Sequence, residues 1–186
     1  LLLMEGHGRY KLVGRTRDDA AGEAFDKAAR ILGLGFPGGP EIQRVAEGAT
    51  GEELLPRAWM KDTLDFSFSG VKTALLHMAQ DRGLYPVVGE GVDQERLVRE
   101  LAAAFQESVV DVISAKLVEM AARYRVKGLV LGGGVTATSN TRVAKKHPWT
   151  STWSLVCRWG REEVPSPVVL PQKERKVRMG AVSISI

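Results

Sequence analysis

R-T-R-D-D-A-A-G-E-A-F-D-K-A-A-R-I-L-G-L-G-F-P-G-G-P runs from Arg15 to Pro40, opening as a capped helix and closing as a glycine-rich turn. Thr16 or Asp18 suits the cap, and Asp19 and Glu23 stand early, where the positive end of a helix favours acids. Ala20, Ala21, Ala24, Phe25, Ala28, Ala29, Ile31 and Leu32 form an apolar stripe at helical spacing. Gly33 or Gly35 ends the helix, and Phe36-Pro37-Gly38-Gly39-Pro40 turns the chain. Gly22 sits mid-helix, where glycine costs about 1 kcal/mol against alanine. Asp26 follows one turn later. A missing side chain beside a carboxylate either lets a second helix pack closely, with Asp26 paired to Arg30 at i+4, or leaves room for a ligand.

Working outward, Leu1–Glu5 and Tyr10–Arg15 read as two strands around a Gly6-His7-Gly8-Arg9 turn. His7 is then a turn residue, because a catalytic metal needs about three protein ligands and no partners are in view. Pro40–Glu47 reads as a short helix with proline at its start. Gly48–Asp62 is a polar connection. Leu64–Phe68 alternates as L-D-F-S-F, a strand signal. Ser69 caps a helix over about 71–80, with Lys72 in its first turn, where a cation opposes the dipole. Residues 81–92 form a loop with four glycines or prolines. Asp93 opens the longest helix, to about Tyr124, with a break expected near Glu107–Asp111. Gly128–Leu131 reads as a buried strand, and Gly132-Gly133-Gly134 follows it. Consecutive glycines after a strand let backbone N–H groups face an anion.

The chain has 186 residues, one domain or part of a larger one, with 44% hydrophobic and 26% charged residues. No apolar run approaches the length of a membrane span, and Leu1-Leu2-Leu3-Met4 is too short for a signal peptide. A cytoplasmic chain is the expectation, an organellar one the alternative. Cys157 is the only cysteine, so an internal disulfide and a cysteine-based zinc site are both excluded. The pI is about 9.3. Residues 1–140 nevertheless hold 17 Lys+Arg against 19 Asp+Glu, while 141–186 hold 9 against 3. The basic excess therefore lies in the tail, and the body carries no electrostatic footprint for RNA. From His147 onward no helical or strand periodicity stands out, although Trp149, Trp153, Trp159 and Cys157 all fall there.

Three ordered motifs carry a family resemblance: Asp18–Lys27 with Pro37–Pro40, then Phe66-Ser67-Phe68-Ser69-Gly70-Val71-Lys72-Thr73, then Leu131-Gly132-Gly133-Gly134-Val135. The chain resembles the tRNA threonylcarbamoyltransferase family (TsaD/Gcp), formerly called O-sialoglycoprotein endopeptidase. The resemblance covers residues 1–140. It implies an α/β fold of the actin, sugar kinase and Hsp70 type, incomplete here, with 141–186 as a tail foreign to the family, as from a shifted reading frame, and poorly packed or extended. It also implies transfer of threonylcarbamoyl from threonylcarbamoyl-AMP to the adenosine beside the anticodon of tRNA. A related inactive paralogue and an accessory ATPase are the implied protein partners, and no membrane is involved.

Carried onto matching positions, the resemblance puts Asp26 on the nucleotide ribose, Gly39 in a second ligand contact and Gly133 and Gly134 in the loop against the nucleotide. Thr138 takes the place of a usual asparagine. The family binds one divalent metal, iron or zinc, through an H-x-x-x-H pair and a D-N-x-A-M-I-A aspartate. Neither pattern occurs here, nor does the S-G-G-H segment. Little or no catalysis by this chain alone is the resulting expectation. A non-catalytic nucleotide-binding or dimerisation module is the alternative. A metalloendopeptidase has less support, since no H-E-x-x-H occurs and His7, His77 and His147 lie far apart.

Overall fold

The computed structural model describes residues 1–51, 54–86, 92–126, 128–132, 154–157 and 181–185. Among them stand β1 (Leu2–Gly6), β2 (Arg9–Leu12), α1 (Ala21–Ile31), α2 (Gly38–Ala46), α3 (Ser69–Asp81), α4 (Val92–Tyr124), β3 (Gly128–Gly132), β4 (Ser154–Cys157) and β5 (Ala181–Ser185). The class is α/β, as expected. The strands form one sheet in the order β2-β1-β5-β3-β4. β1 pairs antiparallel with β2 and β5, while β3 pairs parallel with β4 and β5. Two tail segments read as lacking periodicity are therefore strands. Four or five residues are too few for alternation to show, and a β3 flanked on both sides supplies their pairing.

The core lies among the helices. α2 packs on α4 and α1, α1 on α3, and α3 on α4. The stripe of α1 buries Ala24, Phe25, Ala28 and Ala29, and the Phe25 ring meets Phe105 of α4 edge-on, with centroids 5.2 Å apart. α1 and α3 both end in a glycine with positive φ, Gly33 and Gly83. The next residue's N–H bonds back over the last turn, Leu34 to the Ala29 oxygen and Leu84 to the Ala79 oxygen. That is the left-handed helix stop that only glycine adopts without strain. Gly33, not Gly35, ends α1.

Three expectations need correction. Residues 64–68 are not a strand. Only Thr16 and Phe66 form a parallel bridge, with the Phe66 N–H on the Arg15 oxygen and the Arg17 N–H on the Phe66 oxygen, each 2.8 Å. The burial does not follow the alternation either: Leu64, Asp65, Phe66 and Phe68 are all buried and Ser67 is half-buried, with the Phe66 and Phe68 rings stacked at 5.8 Å. α2 begins at Gly38, two residues before the proline, so Gly38 and Gly39 are helical. α4 runs unbroken through Glu107–Asp111. The acids there do not interrupt it, because Arg57 reaches across with its Nη2 2.9 Å from Asp111 Oδ2 and 3.9 Å from Glu107 Oε2.

Arg57 belongs to the polar connection, which is fastened to α4 at two further points. Ser108 donates its hydroxyl to the Pro56 oxygen at 2.6 Å. Lys116, only 3% exposed, donates to the carbonyls of Met60 and Thr63. Burial pushes the Lys116 ammonium below the usual lysine pKa. The connection is thus held both by its own Arg57 and by Ser108 and Lys116 on the opposite helix. Replacing Lys116 by Met leaves two half-buried carbonyls without that donor. Urea denaturation should show a loss of about 1–3 kcal/mol for Lys116→Met.

Candidate functional site

The segment before α1 does not cap α1. The residue preceding that helix is Ala20, and no side chain caps it. Thr16 instead donates its hydroxyl to the Asp19 oxygen at 2.8 Å. Asp18 turns away to the start of α3. Its Oδ1 accepts the Phe68 N–H at 2.8 Å, and its Oδ2 accepts the hydroxyls of Ser67 and Ser69 at 2.5 and 2.6 Å. It therefore caps a helix about 50 residues away. Ser69, expected as the cap, is the first helical residue. Partial desolvation of Asp18 works against ionisation. The two hydroxyls and the N–H groups of Phe68 and Ser69 outweigh it and bring the carboxyl down to about 2.

Asp19 binds the second motif to the first. Its Oδ1 lies 2.6 Å from Lys27 Nζ and its Oδ2 lies 2.9 Å from Lys72 Nζ. Hydrogen bonds from Lys27 and Lys72 hold the Asp19 carboxyl below its ordinary value. Lys27 also pairs with Glu23 at 2.8 Å. The position of Lys72 is now explained: a cation at the positive end of α3 is stabilised by Asp19. Asp65 completes the seam, taking the Arg15 N–H on Oδ1 at 2.9 Å and Arg17 Nε on Oδ2 at 2.5 Å. The Arg15 N–H, foremost, and then Arg17 hold the Asp65 carboxyl low. The signal for this seam was in the sequence, as D-D in one motif and S-F-S-x-x-K in the other. Nothing local announces that they meet.

Asp26 lies half-buried on α1, and its Oδ1 accepts the Gly38 N–H at 2.8 Å. No ion pair joins it to Arg30; that guanidinium carries no assigned bond to this carboxylate. Asp26 is thus a cap on α2. The approach of the two helices is close: a Cβ on Gly38 would sit 2.6 Å from the Asp26 Cα and 2.7 Å from the Phe25 oxygen. Glycine is required there for packing. Gly39 is the second residue of α2 and half-buried. A first-turn N–H has no partner inside its own helix. The structure therefore brings Asp26, Gly38 and Gly39 together. Asp26 Oδ2 accepts no hydrogen bond among the described residues. Gly133, Gly134 and Thr138 lie outside the described residues; β3 ends at Gly132 immediately before them.

Among the described residues no three His, Cys, Asp or Glu side chains gather at one point. His7 lies in the hairpin turn and His77 is exposed on α3. These residues do not fit a catalytic metal. No described helix is long and apolar enough to cross a membrane. A cavity of about 450 Å³ beside the start of α4 is lined by Thr50, Glu95, Arg96, Arg99 and Glu100 and does not include Asp26 or Gly39. Its charges are largely self-satisfied, since Arg96 pairs with Glu100 and Arg99 donates to the Glu47 oxygen.

The sequence pattern of the family described as TsaD, tRNA N6-adenosine threonylcarbamoyltransferase, matches residues 1–156. The chain belongs to this family. Curated relatives bearing the same description include a protein of Dehalococcoides mccartyi, 51% identical over 142 residues, covering 76% of this chain and 40% of the relative. One of Geobacillus thermodenitrificans is 49% identical over 148 residues, covering 77% and 40%. One of Thermomicrobium roseum is 47% identical over 155 residues, covering 76% and 42%. The chain thus spans about 40% of the length of these relatives. The family match runs to residue 156, beyond the limit of 140 expected from motifs alone, and it takes in most of β4.

The Asp18 cap has a pH signature. Its folded pKa is depressed, so its stabilisation is full above the ordinary carboxylate value of 3.8 and fades as pH falls towards about 2. Asp18→Ala should cost about 1 kcal/mol at neutral pH, typical of a lost helix cap. The difference between wild type and variant in urea melts should shrink between those two pH values.

Proposed function

We propose that this chain acts in threonylcarbamoyl transfer to tRNA and holds the adenylate through Asp26 and the first turn of α2. The observation that carries this is the division of labour at Asp26. One oxygen fixes the start of α2, and the other has no hydrogen-bond partner among the described residues. An ionised carboxylate oxygen accepts ribose hydroxyls well. The N–H of Gly39, at the positive end of α2, supplies a donor beside it. Family membership supports the substrate.

In this reading the substrate is threonylcarbamoyl-AMP, a mixed anhydride. The exocyclic amine of the tRNA adenosine attacks its carbonyl carbon. The bond from that carbon to the phosphate oxygen breaks, AMP departs with the electron pair, and the attacking nitrogen loses its proton. The role of Asp26 and Gly39 is to hold the nucleotide so that the anhydride is presented. Gly133 and Gly134, next in sequence after β3, are the residues assigned to the phosphate by family resemblance, and Thr138 stands in sequence where the family has an asparagine. Ligands of open α/β sheets bind at the carboxyl ends of parallel strands, which favours that edge. The two-lobed architecture of actin and the sugar kinases is the fold inferred for the whole. The parallel pairing of β3 with β4 and β5 is compatible with it. The iron or zinc of the family has no ligand set among the described residues. A cytoplasmic setting, an inactive paralogue and an accessory ATPase complete the proposal.

Calorimetry with AMP tests this on the 186-residue chain. Asp26→Asn keeps an oxygen for the Gly38 N–H and removes the charge offered to the ribose. AMP affinity should fall about ten- to a hundred-fold, the worth of a hydrogen bond to a charged group, with the melting curve little changed. Unaltered affinity in Asp26→Asn, or no AMP binding by folded wild type, contradicts the reading.

A further inference from the structure

We propose that Phe36 is the platform on which the base of the bound nucleotide stacks, which makes it the residue that favours a nucleoside monophosphate over a bare sugar phosphate. The inference rests on the reading of Asp26 above. Phe36 is 84% exposed, the most exposed large apolar side chain among the described residues. Phenylalanine is usually buried, and a lone exposed apolar residue needs no explanation by itself. The position of this one does invite an explanation.

The loop between α1 and α2 is short, and both of its ends are tied. At one end the Leu34 N–H donates to the Ala29 oxygen at 2.8 Å, and Leu34 packs on the core. At the other end the Gly38 N–H donates to Asp26 Oδ1 at 2.8 Å. Pro37 stands between Phe36 and α2 in extended backbone, with φ −74° and ψ 139°. Proline fixes its own φ and restricts the residue before it, so Phe36 has little backbone freedom. An aromatic ring is thus held in solvent two residues from the glycine that Asp26 caps and three from Gly39. Two peptide units span at most about 7.6 Å between Cα atoms. A ribose held by Asp26 Oδ2 and the Gly39 N–H would carry its base within reach of a side chain from that distance. Every nucleobase has a π-face, and stacking on an aromatic side chain is worth about 1–3 kcal/mol per base. No other described aromatic stands in the segment 26–39 on the α2 side; Phe25 is fully buried against Phe105.

The test is calorimetric titration of wild type, Phe36→Ala and Phe36→Trp with two probes, AMP and ribose 5-phosphate. Circular dichroism checks that each variant folds, which an exposed side chain should permit. Phe36→Ala should bind AMP about ten- to a hundred-fold more weakly, following the stacking energy. It should bind ribose 5-phosphate as wild type does, and Phe36→Trp should retain AMP. If Phe36→Ala binds AMP like wild type, or loses both probes equally, the stacking role is overturned while the Asp26 reading stands on its own test. If folded wild type binds neither probe, the nucleotide site and the stacking role fall together.

Discussion

Two aspartates eight residues apart organise this chain by capping helices that are not their own. Asp18 accepts the Phe68 N–H at the start of α3, and Asp26 accepts the Gly38 N–H at the start of α2. A helix start leaves backbone donors unpaired, and a carboxylate there satisfies them while facing the positive end of the dipole. The two contacts fix the entry points of α2 and α3 relative to α1. Asp19 adds an ion pair to Lys72 inside the first turn of α3. The acidic motif and the serine-rich motif are therefore two halves of one joint. What looks in sequence like a string of site residues is first a structural hinge-pin, and a ligand can use only what that duty leaves over.

That constraint shapes the site. Asp26 has two oxygens and the fold takes one. Gly38 is excluded from ligand contact by its closeness to α1, where a single added carbon would fall 2.9 Å from Ala29 Cβ and nearer still to the backbone. Gly39, one residue on, is half-buried in the first turn of α2. The aromatic ring of Phe36 stands just outside this arrangement, held by the same cap that holds Gly38.

The helices were legible because their information is local. The stripe of α1, the glycine stop at Gly33 and the apolar spacing of α4 each lie within one element. The caps were not legible, because Asp18 and Phe68 are separated by 50 residues and either could have served a neighbour. The same holds for the continuity of α4. Glu107 and Asp111 read as a weak point until Arg57, 54 residues before Asp111, is seen beside them. Residues 64–68 misled for a different reason: Asp65 is buried by its bonds to the Arg15 N–H and Arg17, so the apolar and polar alternation marks neither two faces nor a partner strand. Lys72 was puzzling in sequence because its compensating acid lies 53 residues earlier. Of the site, Asp26 and Gly39 came from the family resemblance, with Gly39 placed in a turn where the structure has the first turn of α2; the structural share of Asp26 could not be read, since an i+4 arginine offered a simpler partner.

Backbone amide hydrogen exchange at Phe68 and Gly38 reaches the central claim most directly. If the two aspartates cap α3 and α2, both amides are protected in the wild-type chain. Asp18→Ala then speeds exchange at Phe68 and leaves Gly38 slow, and Asp26→Ala does the reverse. Equal exchange at both amides in wild type and variants, or loss of protection at the same sites whichever aspartate is removed, would contradict the account.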